Sequence, residues 1–160
     1  MNAQKTDREK AQRVIAENRK ARHDYHILET WEAGVALLGT EVKSIREGRV
    51  NLRDSYARVD RGEVWLLNVH ISPYSHRGSA EHAELRQRKL LLHAHEIRKM
   101  VGQTAEKGFT LVPLEVYLKN GRVKVLVGLA KGKQAHDKRE TIRRREVDRE
   151  TRAAVKSRSR

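Results

Sequence analysis

The tetrapeptide Lys119-Asn120-Gly121-Arg122 constrains this chain more than any other stretch. Asn-Gly between two alternating apolar runs is the signature of a two-residue β-hairpin turn. With that turn, residues equidistant from the Asn-Gly pair face each other. Leu118, Val116, Leu114 and Val112 then oppose Val123, Val125, Val127 and Leu129, which puts eight apolar residues on one face. Lys124 falls on the other face, toward solvent or a ligand.

Further strands are expected around this hairpin. Tyr25 to Leu38 is long, with Tyr25, Ile27, Trp31, Val35 and Leu37 in phase and Gly34 allowing a sharp bend. Val50 to Val59 and Glu63 to Ile71 flank the turn Asp60-Arg61-Gly62. Trp65, Leu67, Val69 and Ile71 alternate, and Pro73 ends that strand. Two helices interrupt the strands. Thr40 caps a short one, with Leu38, Val42 and Ile45 on one face and Gly48 as its stop. The second runs from about His93 to Lys107, with Ile97, Met100, Val101 and Ala105 sharing a side and Gly108 following. The expected fold is mainly β with flanking helices: an OB-fold-like closed antiparallel barrel over residues 1–130 that includes an N-terminal extension. A small open α+β sheet is the competing architecture. Residues 131–160 form a basic C-terminal tail, disordered or helical when bound.

Charge separates these two parts. The 160 residues carry 35 Lys and Arg against 21 Asp and Glu, a net charge of +14. Residues 1–24 hold 7 basic and 4 acidic side chains, residues 25–130 hold 16 and 12, and residues 131–160 hold 12 and 5. Half of the excess therefore lies in the tail, which has no aromatic residue and cannot bury enough apolar surface to fold alone. Its Glu140–Arg144 and Asp148–Arg152 pairs are spaced four apart and suit a helix. Ile142, Val147 and Val155 are too few and too irregular to make a packing stripe. A polar helix stabilised by a partner is expected.

Such an excess points to a polyanion, and nucleic acid is the commonest. The chain has no cysteine, which excludes disulfides, thiolate metal sites and cysteine nucleophiles. No stretch approaches the roughly 20 apolar residues of a membrane span. Met1 to Lys20 lacks an apolar signal segment, so a soluble cytoplasmic protein is expected. His93, His95 and Glu96 lack metal-ligand spacing, and neither a metal nor a cofactor is expected. Gly128-Leu-Ala-Lys-Gly-Lys133 lacks the spacing of a phosphate loop. Asp54-Ser55 has no histidine placed beside it and reads as a local anchor for a strand start. Glu29, Glu32 and Glu41 could gather as a metal-dependent nuclease site, or each could pair with Arg19, Lys20 or Lys43. No catalytic residue is assigned. With one Phe, two Trp and four Tyr, and with Trp65 and Tyr117 in apolar runs, too few aromatics remain for a base-stacking platform. Recognition should lean on phosphates and folded RNA shape. The candidate clusters are Asn18 to Arg22, Arg86-Gln87-Arg88-Lys89 and Lys131-Gly132-Lys133. A general DNA-compacting or RNA-chaperone protein and a ribonuclease are the competing classes.

Several stretches together resemble the SsrA-binding protein (small protein B, SmpB) family. They are Glu17-Asn-Arg-Lys-Ala-Arg-His-Asp-Tyr25, Glu32-Ala-Gly34, Glu41-Val-Lys-Ser44, Asn51-Leu-Arg-Asp-Ser-Tyr56, His70-Ile-Ser-Pro-Tyr74, Arg88-Lys-Leu-Leu-Leu-His93, and Ala130-Lys-Gly-Lys133 followed by His136-Asp-Lys-Arg139. They fall in family order from about residue 14 onward. The resemblance implies binding to the tRNA-like domain of transfer-messenger RNA and its delivery to stalled ribosomes, with elongation factor Tu in the same complex. It implies that Asn18, Arg19, Lys20, Tyr25, Glu32, Glu41 and Lys43 lie on the RNA-facing surface, the two glutamates orienting basic residues or accepting hydrogen bonds from RNA. Arg88, Lys89, Lys124, Lys131 and Lys133 join that RNA-binding set, the last three as phosphate contacts. His136, Asp137, Lys138 and Arg139, followed by Arg143, Arg144 and Arg145, would enter the decoding centre and messenger channel of the small subunit and meet its ribosomal RNA. Gln134-Ala135 departs from the family, which often has a further lysine and a larger residue there. Nothing in the sequence requires an obligate dimer, and a monomer is expected.

Overall fold

A computed structural model describes residues 12–74, 82–133 and 135–158; among the last, the side chains of 135–138, 140, 141, 157 and 158 are not described. Nine strands and four helices follow in the order β1 (Gln12–Glu17), α1 (Arg19–Asp24), β2 (Tyr25–Val35), α2 (Gly39–Arg46), β3 (Val50–Asn51), β4 (Tyr56–Asp60), β5 (Glu63–Leu67), β6 (His70–Ile71), β7 (Arg88–Leu91), α3 (Ala94–Thr104), β8 (Phe109–Lys119), β9 (Arg122–Gly132) and α4 (Ala135–Arg158). Seven strands form one antiparallel sheet in the order β1-β8-β4-β5-β7-β2-β9, with β8 also pairing β9. The pairings therefore run in a ring through β8, β4, β5, β7, β2 and β9. Its thinnest joint is β4 to β8, linked at Ala57 and Leu111. β3 and β6 pair separately.

Both predicted turns form. Asn120 and Gly121 have φ of 51° and 76°, and Arg61 and Gly62 have 51° and 77°. Two consecutive positive φ values give the tight turn whose twist matches that of the strands. The predicted register holds near the Asn-Gly turn, where Leu118 meets Val123 and Val116 meets Val125. It shifts by one between Pro113 and Glu115, so Pro113 meets Val127 and Leu111 meets Leu129. The eight predicted residues thus do not share a face. Val116, Val125, Val127 and Leu129 enter the main core with Trp31, Ala33, Val64, Leu66 and Met100. Val112 and Leu114 turn to a second cluster with Ala21 and Ala130, against which Tyr25, Ile27 and Leu126 pack. One extra residue on one strand reverses the alternation beyond it. The same happens in β2, where the pairing slips between Ile27 and Glu29. Tyr25 and Ile27 then join the second cluster while Trp31 joins the first.

Gly128 belongs to this packing. A Cβ there would stand 2.8 Å from Leu114 Cδ1 and 3.2 Å from Ile27 Cγ2. The glycine is needed for close approach, a steric role. Gly34 sits where β2 passes from β9 to β7, pairing both Lys124 and Leu91.

Other expectations are corrected. β1 had no periodic signal of its own; it forms by pairing the outer edge of β8. Asn68, at φ 60°, separates β5 from β6, so Val64 and Leu66 are buried and Trp65 is only half-buried. Leu38, not Thr40, is the N-cap of α2. Its backbone N–H donates to Glu41 Oε1 at 2.9 Å, while the Thr40 hydroxyl meets His82 Nδ1 at 2.9 Å. In α3, Met100 is buried and Ile97 packs on the core, but Val101 and Ala105 are exposed. The helix has a single inward ridge, because only its Met100 side lies on the ring.

Candidate nucleic-acid interface

The predicted site residues divide into three places. The first is a cleft of about 320 Å³ between α1, the start of β4 and β8, lined in part by Asn18, Lys20, Tyr25, Asp54 and Tyr56. Asn18 is buried and holds this corner together. Its Oδ1 accepts from Ala21 N at 3.1 Å, capping α1. Its Nδ2 donates to Pro113 O at 2.9 Å and Leu52 O at 3.2 Å. Every polar atom of that side chain is used within the protein, so it positions α1 rather than meeting a ligand. Arg19 stands out in solvent, 3.8 Å from Glu17. Lys20 Nζ pairs with Asp54 Oδ1 at 2.7 Å, half exposed. That hydrogen bond holds the Asp54 carboxyl below the usual carboxylate range. Arg22 pairs with Glu115 at 3.1 Å.

The end of β9 lies beside this cleft, because Tyr25 pairs with Gly132 and His26 with Lys131. Lys131 Nζ sits 5.6 Å from the centre of the Phe109 ring. The Lys133 amide donates to Asp24 O at 2.9 Å, and α4 begins two residues later. Lys20, Lys131 and Lys133 thus gather at one end of the sheet, where the basic helix departs. The described side chains of α4, Arg139, Arg143, Arg144 and Arg145 among them, are exposed. The side chains of His136, Asp137 and Lys138 lie outside the described residues.

The second place is the outer face of β2, β9 and β8 further along. Glu32 Oε2 accepts from the Tyr117 hydroxyl at 2.5 Å, and Lys119 Nζ is 3.2 Å from both Glu32 oxygens. Burial pushes the Glu32 carboxyl up, but Tyr117, Lys119 and the nearby Lys124 charge outweigh it and hold it below its ordinary value. Glu32 and Lys124 line one shallow cleft with His93 and Glu96. Lys124 lies opposite Tyr117 and is half-buried, on the face away from Val123 and Val125 as its phase implies.

The third place is buried. Glu41 has no exposed surface and Arg88 is 1% exposed. Glu41 Oε1 accepts from Arg86 Nη2 and Oε2 from Arg88 Nε. Arg88 also donates to Val69 O at 2.8 Å and Glu84 O at 3.1 Å. Burial pushes the Glu41 carboxyl up; hydrogen bonds from Arg86, the Leu38 amide and Arg88 hold it below the usual range. Glu41 and Arg88 therefore cannot touch RNA directly. They join α2 to β7 inside the protein. Lys43 is exposed, its Nζ 5.2 Å from the Tyr74 ring centre, and Lys89 pairs with Glu63 at 3.1 Å.

Glu29, Glu32 and Glu41 do not converge. Glu29 pairs with Lys99 at 2.6 Å, Glu32 with Lys119, and Glu41 with the two arginines, none of them the predicted partners. Among the described residues no group of three or more His, Asp or Glu could hold a metal ion, and no helix is long and apolar enough to cross a membrane. Sequence reasoning assigned Tyr56 no part in the site, although it closes the quoted motif Asn51 to Tyr56. It also missed Asp54 as the partner of Lys20; only its contact across 34 positions reveals that role.

The SmpB protein family matches residues 15–157. The chain belongs to the SmpB family. An SsrA-binding protein of Thermosynechococcus vestitus is 60% identical over 147 residues, covering 91% of this chain and 97% of the relative. One from Ligilactobacillus salivarius is 58% identical over 144 residues, covering 90% and 93%. Among solved structures, one described as "tmRNA-SmpB: a journey to the center of the bacterial ribosome" is 52% identical, with a TM-score of 0.66 over 81% of this chain and 94% of that one. The SmpB match begins within β1 and ends within α4, so it takes in both the sheet and the basic helix.

Proposed function

We propose that this protein binds the tRNA-like domain of transfer-messenger RNA and delivers it to ribosomes stalled without a stop codon, acting in the cytoplasm as a monomer, with elongation factor Tu carrying the charged RNA in the same complex. The observation that carries this reading is the union of two features at one end of the sheet. Lys20 lines the cleft, Lys131 and Lys133 lie at the neighbouring end of β9, and β9 runs from there into the exposed basic α4. An RNA held at that end leaves the helix free to reach elsewhere. The ring of strand pairings supports an OB-type closed barrel as the gripping scaffold. Asn18, Glu41 and Arg88 shape that scaffold, while Arg19, Lys20, Tyr25, Lys43, Lys89, Lys124, Lys131 and Lys133 face the RNA and Glu32 orients its basic neighbours. The tail, through His136 to Arg139 and Arg143 to Arg145, enters the empty messenger channel and decoding centre. The protein supplies binding and position and catalyses no reaction. The names of the relatives and the description of the structural neighbour support transfer-messenger RNA and the ribosome as partners.

A filter-binding salt series tests this. Transfer-messenger RNA should bind far more tightly than random RNA of equal length at moderate salt, each phosphate contact adding roughly 0.7–0.9 to the log–log slope. Equal binding of both would sink the specific reading and leave a general RNA-binding protein.

A further inference from the structure

The ring of strand pairings closes through one joint that differs from the rest. Among the described residues β4 meets β8 at Ala57 and Leu111 alone, whereas every other joint of the ring runs through at least two consecutive pairs. The chain stops this ladder at both ends. In an antiparallel ladder the N–H and C=O of one residue point to the same neighbour. Continuing the register past Leu111 would set Pro113 against Ser55. Proline has no N–H to give, and its carbonyl accepts from Asn18 Nδ2. The Ser55 amide already donates to Leu52 O at 3.2 Å. In the other direction Phe109 would face Val59, but the Phe109 amide donates to Glu106 O at 3.4 Å.

α1 bridges this seam from outside. It is fixed to the β8 side, where Asn18 N donates to Leu114 O at 2.8 Å and Arg22 pairs with Glu115. From there two links cross to the segment that leads into β4. Asn18 Nδ2 donates to Leu52 O at 3.2 Å, and Lys20 Nζ pairs with Asp54 Oδ1 at 2.7 Å. The first link is buried, and the second stands open to water and to competing ions. The cleft beside α1 has one wall on each side of the seam: Ala21, Thr110 and Val112 with α1 and β8, Ser55 and Tyr56 with β4.

We propose that the ring opens along the β4–β8 seam as a local, reversible step, and that α1 is its clasp, with Lys20–Asp54 as the link that releases. A joint of one ladder pair leaves few bonds to break, and regions of that kind open at free energies well below global unfolding. The clasp then sets the width of the cleft. An anion that draws Lys20 away from Asp54 loosens the seam, and salt does the same by screening an exposed pair. The inference concerns the protein alone, goes beyond the RNA-binding reading and is tested without RNA.

The chain has no cysteine, so one introduced thiol reports opening without background. Ala57→Cys stands at the seam and Ala33→Cys within the long β2–β9 ladder, and both alanines are buried. In native buffer, full-length Ala57→Cys should react with iodoacetamide at least about tenfold faster than Ala33→Cys, and low urea should accelerate mainly the latter. Adding Asp54→Asn should raise the Ala57→Cys rate roughly two- to fivefold. Asparagine tolerates the left-handed backbone that Asp54 holds at φ 60°, so that change removes the charge and keeps the turn. Wild-type amide exchange supplies a second reading should a cysteine variant misfold: β4 should exchange ahead of β9. A disulfide in Arg58→Cys/Thr110→Cys, the next positions across the seam, should slow β4 to the pace of β9 when oxidised and release it when reduced. Equal labelling of the two cysteines, or β4 and β9 exchanging together in the wild type, would mean that the ring opens only on global unfolding and overturns the seam. An Ala57→Cys rate that ignores Asp54→Asn would show that opening leaves Lys20–Asp54 intact and removes that link as the releasing one.

Discussion

Glu32 and Glu41 look alike in sequence. Each is a glutamate in a short motif that resembles the family, and each has a carboxyl held below its ordinary value in the folded chain. Their surroundings make them opposites. Glu41 is sealed from water between Arg86 and Arg88. Glu32 sits on the outer face with Tyr117 and Lys119, its side chain 36% exposed. Removing one partner of a buried pair leaves an uncompensated charge and costs about 3–5 kcal/mol. An exposed pair is worth about 0–1 kcal/mol. The same residue type therefore supports folding in one place and shapes a surface in the other.

The largest expected effect breaks the buried pair. Glu41→Ala should lower the melting temperature by about 6–20 °C, the span expected for that loss in a chain of this size. A shift under about 2 °C by calorimetry would place Glu41 with Glu32 and dissolve the contrast. Asn18→Ala comes next. It removes the cap of α1 and two bonds to buried carbonyls, for a loss of about 2–3 kcal/mol in urea denaturation.

Acid should sharpen the contrast. Glu41 has a depressed folded value, so its contribution is complete above the ordinary glutamate range and fades as pH falls through the lowered folded value. Urea titrations below that range should show wild type declining more steeply than Glu41→Gln, which has no carboxyl to protonate. Parallel curves would show that Glu41 is not a main source of acid sensitivity. Smaller still are the surface changes. Lys124→Glu and Glu32→Gln should each move the melting temperature by less than about 2 °C while RNA affinity falls, read on one protein batch by calorimetry and filter binding. The smallest effect on stability belongs to the tail. Deleting residues 134–160 should leave melting and RNA affinity nearly unchanged and abolish tagging of stalled chains. Comparable loss of binding and tagging would make α4 part of the primary grip.

Local chemistry was legible. Asn120-Gly121 announced its turn because only a few residue types accept consecutive positive φ, and Gly48 ends α2 for a related reason, whereas α3 stops at Thr104, short of the Lys107 end and Gly108 stop that the sequence suggested. The two strands were correctly phased where they adjoin the Asn120-Gly121 turn. Phase was lost beyond the irregularities near Leu114 and Leu28, because a bulge leaves the composition of a strand unchanged while reversing its faces. β1 was silent for another reason: it gains its order from the edge of β8, not from its own pattern. In the site, the cations at Lys20, Lys131 and Lys133 could be picked from the sequence, since charge is a property of the residue. Their meeting at one end, and the burial of Glu41 and Arg88, could not.

The sequence by itself determined the β character of this chain, its tight turns, the concentration of positive charge in the last thirty residues and its family. All of these rest on short-range backbone preference, composition or motifs in order. Tertiary structure decided which charged side chains stay dry and which stay wet, where the two apolar clusters divide, and that Tyr25, Tyr56 and Asp54 share a cleft. Those outcomes depend on strand register and on contacts between residues tens of positions apart, and neither is encoded in any local window.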